Sequence, residues 1–150
     1  MKFSFKLTGS GWGEATLSDD GSSATITGGY CTDASGDLLR AILRLLEGVS
    51  DVRFSWDNEP QEYRWIFVQR DSRVTLQILR FQDIYEQCPD AQGEPVFETS
   101  DELSEVARAI VEGYDGLVED IGIDGYNEEW HLNPFPSSEL ETIRGLLQVT

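Results

Sequence analysis

The stretch SWDNEPQEYRWIF, residues 55–67, sets two tryptophans, a tyrosine, a phenylalanine and three carboxylates around a single proline. Just upstream, Val52, Phe54 and Trp56 alternate with polar residues, which is the period of a half-buried strand over 51–57. The residues DNEPQ carry turn chemistry, and EYRWIFVQR, residues 62–70, returns as the next strand. The whole reads as a β-hairpin. Alternation puts Tyr63, Trp65 and Phe67 on one face and Arg64, Ile66 and Val68 on the other, and spacing alone does not say which face meets the core. An exposed aromatic face edged by Asp57, Glu59 and Glu62 would be a protein-binding patch.

Working outward, Asp71-Ser72 turns the chain again and RVTLQILRFQ, residues 73–82, forms a further strand. Towards the N-terminus, KFSFKLT (2–8), residues 12–18 and SATITGGY (23–30) each show period two, with Asp19-Asp20-Gly21-Ser22 turning between the last two. Between these blocks, Leu38, Leu39, Ile42, Leu43, Leu45 and Leu46 recur at helical spacing over 35–48; Asp33 or Ser35 is placed to cap the start, and Gly48 to stop the end.

Beyond the third hairpin strand, residues 83–98 read as irregular. Thr99-Ser100-Asp101-Glu102 has the pattern of a capping box opening a long helix, with Leu103, Val106, Ala107, Ile110, Val111, Tyr114, Leu117, Val118 and Ile121 on its apolar face and Gly113 and Gly116 weakening it. A loop over 122–136 and a short helix over 138–148 complete the chain. The expected order is βββ-α-βββ-α-α. Hairpin-linked strands followed by helices predict one α+β domain over 1–150: a six-stranded, mainly antiparallel sheet with the helices packed on one face.

Net charge is −17, and it is unevenly spread. Residues 81–150 hold 17 acidic and 2 basic side chains, so −15 of the total falls there. Such a field repels nucleic acid and anionic membranes, and attracts basic proteins. No apolar run approaches the roughly 20 residues of a membrane span, and the N-terminal MKFSFKLTG alternates as a strand does, which predicts a cytoplasmic chain. Cys31 and Cys88 read as reduced thiols.

The residues weigh against several chemistries. DIGIDGYNEEWH, residues 120–131, resembles a calcium loop at its first, fifth and sixth positions, but Gly122 and His131 stand where oxygen ligands belong. One histidine and two scattered cysteines show no zinc spacing. His131 is the sole histidine available to a Ser–His or Cys–His pair, and Trp130 and Leu132 flank it like a packed segment. No metal and no cofactor is expected. The acids Asp57, Glu59 and Glu62 beside Trp56 and Trp65 could serve a glycosidase-like pair, although a solvated turn offers nothing to raise a general acid's pKa.

The combination of GWGEATL (11–17), GDLLRAILRLLEG (36–48) and EPQEYRWIF (59–67) resembles a family of small, uncharacterised bacterial proteins. In that family the hairpin motif reads roughly E-P-G-E-Y-R-W; Gln61 stands here where glycine is usual. The resemblance runs from residue 1 to about 147, and in general character it is similar to immunity proteins of bacterial toxin systems. The charge concentrated in residues 81–150 and the lack of a catalytic constellation point to a non-catalytic acidic protein that binds a basic partner, such as a toxin, as a monomer or homodimer. The candidate contact residues are Asp57, Glu59, Glu62, Tyr63 and Trp65 on the hairpin and Glu119, Asp120, Asp124, Glu128 and Glu129 further on. Two alternatives stand beside it. One is a small-ligand or hydrolytic domain using the hairpin acids and aromatics. The other is a structural or oligomerising module.

Overall fold

A computed structural model describes residues 1–149. The elements are β1 (Lys2–Gly9), β2 (Trp12–Ser18), β3 (Ser23–Gly29), α1 (Ala34–Leu46), β4 (Asp51–Asn58), β5 (Gln61–Arg70), β6 (Arg73–Phe81), β7 (Glu94–Glu102), α2 (Leu103–Glu129) and α3 (Ser137–Val149). The fold is α+β, but the single six-stranded sheet is not there. Seven strands form two antiparallel sheets, one in the order β1-β2-β3 and one in the order β4-β5-β6-β7. The helices are not confined to one face of one sheet either: α2 lies along β1, while α1 packs on β4 and is backed by α3.

The seventh strand lies where the sequence suggested a loop and a helix cap. Glu94–Glu102 pairs with β6 from Arg80↔Glu94 to Arg73↔Glu102, with an irregularity between Ile78 and Leu79. Within it only Phe97 and Thr99 are buried, so its period-two signal is weak. Thr99-Ser100-Asp101-Glu102 therefore ends a strand, and α2 begins directly at Leu103, whose N–H donates to Ser72 O at 2.8 Å.

One core gathers residues from both sheets and all three helices. Phe3, Phe5, Ala15, Leu17 and Ile26 face it from the first, and Val52, Trp56, Trp65, Phe67, Val74, Leu76, Ile78 and Phe97 from the second. The hairpin register decides the question left open by spacing. Trp56 pairs with Tyr63 and Phe54 with Trp65, so the aromatic face of β5 lies on the side of Trp56 and looks inward. Trp56 and Trp65 rings meet at 4.7 Å, Phe54 stacks on Trp65 at 5.5 Å, and Phe5 meets Trp56 edge-on at 5.9 Å across the sheets. The Trp56 indole N–H donates to Ala34 O at 3.1 Å and so fixes the start of α1, where Asp33 accepts from Gly36 N at 3.3 Å.

Two glycines shape α2. Gly113 lets the helix approach β1: a Cβ there would sit 2.7 Å from Phe3 O. Gly122 breaks the helix, with φ 72° and ψ 166°, a conformation open essentially to glycine alone. The first half of the loop expected over 122–136 is thus a second helical segment, which runs on to Glu129. After the break, Tyr126 and Trp130 return to the core; Tyr126 stacks on Trp130 at 6.0 Å and meets Phe135 edge-on at 5.1 Å.

Candidate functional site

The hairpin acids do not form one exposed cluster. Asp57 and Glu62 face each other in the β4–β5 ladder on the outer side of the sheet, and each is only 4% exposed. Glu62 accepts from Arg64 Nε at 3.0 Å and from the Ser55 hydroxyl. Its charge is thus neutralised inside the fold. Asp57 accepts from the Glu59 N–H at 2.9 Å, and among the described residues it has no ion-pair partner. Burial, and then the neighbouring Glu59 carboxylate, push its pKa up.

Glu59 lies exposed on the turn, where its carboxylate accepts from Tyr85 Oη at 3.4 Å. Tyr63 is half-buried, and Trp65 is 0% exposed. Trp65 therefore offers no surface to a partner, and the exposed aromatic face considered above is absent. The segment before α1 brings Cys31 to this corner. Its thiol and the carboxylates of Asp57 and Glu59 lie within 4.8 Å of one another, a donor set of a kind that can hold a metal ion. Partial desolvation of the sulfur at this corner, and then Asp57, raise the Cys31 pKa, which keeps the thiol protonated at neutral pH. Residues 31 and 57 lie on different segments, and no spacing rule joins them. Both cysteines are free; Cys31 is exposed and Cys88 half-buried.

Asp57 carries a pH-dependent prediction. A carboxyl whose pKa is raised on folding binds its proton more tightly in the native state. It therefore costs stability as pH rises from the ordinary aspartate range, near 3.8, through the raised value. Asp57→Asn, which keeps an oxygen to accept from Glu59 N–H, is expected to raise the urea midpoint at pH 7. That advantage should vanish below the ordinary range, as denaturation at pH 7 and pH 3 would show.

The second set of candidate residues is placed differently. Glu119, Asp120, Asp124, Glu128 and Glu129 are all exposed, and among the described residues none is in an ion pair. The nearby arginines are already engaged. Arg144 donates to both oxygens of Asp115 at 2.6 and 2.8 Å, and Arg40 bridges Asp33, Asp37 and Glu139. The Gly122 break directs this. Tyr126 and Trp130 turn inward, and Asp124, Glu128 and Glu129 are left facing solvent. Two apolar side chains stand among these acids, Ile123 at 41% and Leu132 at 66% exposure. The sequence reading passed over Ile123 and took Leu132 as part of a packed segment; Leu132 is exposed instead. His131 is exposed rather than wedged, its ring edge-on to Tyr30 at 5.8 Å.

No described helix is long and apolar enough to cross a membrane. No family model matches the sequence, and no curated protein matches it. Among solved structures, the chain is similar to one in the CdiA-CT/CdiI toxin and immunity complex from Enterobacter cloacae. The identity is 11% and the TM-score 0.49, over 75% of this chain and 99% of that chain.

Proposed function

We propose that this protein is a non-catalytic binding protein that captures a basic protein through the acidic surface of residues 119–132, as an inhibitor or immunity protein holds a basic toxin. The observation that carries the reading is the set of five exposed carboxylates without ion-pair partners among the described residues, with exposed Ile123 within their span and exposed Leu132 three residues beyond it. Unpaired carboxylates steer a cationic partner from solution, and isolated apolar side chains within such a field add desolvated contact once it docks. Glu59, at the hairpin corner, and half-buried Tyr63 are the hairpin candidates that retain accessible surface.

The test is retention of lysate proteins by the purified chain at low and high salt, followed by association kinetics with whatever basic protein is identified. A variant with Glu119, Asp120, Asp124, Glu128 and Glu129 replaced by their amides should associate roughly ten- to a hundredfold more slowly at low salt. The difference should shrink towards none at high salt, where charges more than about 3 Å apart are screened. An association rate indifferent both to salt and to the five amides would dismiss this surface.

A further inference from the structure

Between β6 and β7 the chain crosses the outer face of the four-stranded sheet. Residues 83–93 contain two 3-10 turns, Ile84–Glu86 and Asp90–Gln92, and neither has a buried residue. Beneath them lies a small apolar floor of Ile66, Leu79 and Phe81, separate from the main core. The segment contributes little apolar surface of its own to that floor beyond the half-buried Cys88 side chain.

What holds the segment down is polar. The Ile84 N–H donates to Pro60 O at 2.8 Å. The Arg64 guanidinium carbon lies over the Phe81 ring, 4.0 Å from its centroid, and the side chain donates to Cys88 O and to Asp90 Oδ1, each at 2.8 Å. Arg53 donates to the other oxygen of Asp90 at 2.9 Å. Two arginines thus converge on one carboxylate, and that carboxylate belongs to the crossing segment rather than to the sheet.

We propose that residues 83–93 are a detachable strap with Asp90 as its latch, which opens as a unit and uncovers Ile66, Leu79 and Phe81. Segments with few buried apolar contacts and solvent-facing polar attachments open at far smaller free energies than a core does. The outer face of this sheet is polar when the strap is closed and carries an apolar patch when it is open. Arg64 stays behind in the open form, paired with Glu62, while Arg53 is released.

The experiment uses the full chain with Cys31→Ser, so that Cys88 is the remaining thiol. Labelling of Cys88 by an aromatic disulfide reagent and amide hydrogen exchange over 83–93 are followed together. Asp90→Ala removes the latch and should accelerate both on the order of tenfold, with exchange in α2 unchanged. Arg53→Ala, a change confined to an exposed side chain, should move both in the same direction by less. If either variant leaves strap exchange and Cys88 labelling unaltered, or if any acceleration is shared equally by α2, the strap is not a separate opening unit.

Discussion

Replacing Trp65 with alanine is expected to cost about 3–5 kcal/mol of folding stability, the range for truncating a large buried aromatic. The ring is fully buried, with ring centroids of Trp56 at 4.7 Å and Phe54 at 5.5 Å. For a single domain whose total stability is of order 5–15 kcal/mol, that loss leaves the protein marginal or unfolded at 37 °C. Urea denaturation followed by far-UV circular dichroism would show the midpoint collapse. Any loss of partner binding by this variant should track the unfolded fraction, because Trp65 has no surface with which to touch a partner. A Trp65→Ala protein that kept its urea midpoint but lost its partner would reverse the inward placement of the hairpin's aromatic face.

The second large effect is expected at Arg64. Its guanidinium is the only cation paired with Glu62 among the described residues, and both side chains are largely buried, at 14% and 6% exposure. Removing one member of a buried pair strands the other, at a typical cost of about 3–5 kcal/mol. Arg64→Ala should therefore be strongly destabilising, since it leaves the Glu62 carboxylate with only the Ser55 hydroxyl. Glu62→Gln alone should cost less, because a neutral amide needs no counter-ion. Adding Glu62→Gln to Arg64→Ala should recover much of the loss, and a double-mutant cycle of urea midpoints isolates that coupling. Additive single effects would mean that the two side chains do not neutralise one another.

The sequence was most legible where period and turn chemistry agreed. The first three strands, α1 with its Asp33 cap and Gly48 stop, and the strands β4 to β6 all lie close to where alternation and helical spacing put them. The inward direction of Trp65 and Phe67 was not legible from alternation. It depends on the two-residue turn at Glu59-Pro60, which sets Asn58 opposite Gln61 and thereby Trp56 opposite Tyr63. β7 was hidden because its pairing with β6 outweighs a sequence in which four of nine residues are acidic, and because Thr-Ser-Asp-Glu is equally good chemistry for a helix start. The division into two sheets is a tertiary fact: β3 and β4 are separated by α1, and nothing in either strand forbids pairing across that gap.

The candidate surface was legible in part for the same reason. Acids are usually exposed, and Glu119, Asp120, Asp124, Glu128 and Glu129 are, although the last three sit on a helical segment where a loop was expected. Burial of Asp57 and Glu62, by contrast, depends on partners far along the chain: the Arg64–Asp90 network, the strap and the corner with Cys31. A turn acid looks the same in sequence whether it is solvated or enclosed.

β7 also bears on how copies of this chain keep apart. It is the last strand of its sheet, so its outer backbone edge has no neighbouring strand there. A bare edge of that kind is where cross-chain ladders and fibres start. Along it run Glu94, Pro95, Glu98, Asp101 and Glu102: Pro95 cannot donate, Glu94, Asp101 and Glu102 pair with Arg80, the N-terminal amine and Arg73, and Glu98 has no ion pair among the described residues. Pro95 and the unpaired charge of Glu98 are therefore what this edge sets against the matching strand of a second copy, a local task for side chains that composition counts only as bulk acid.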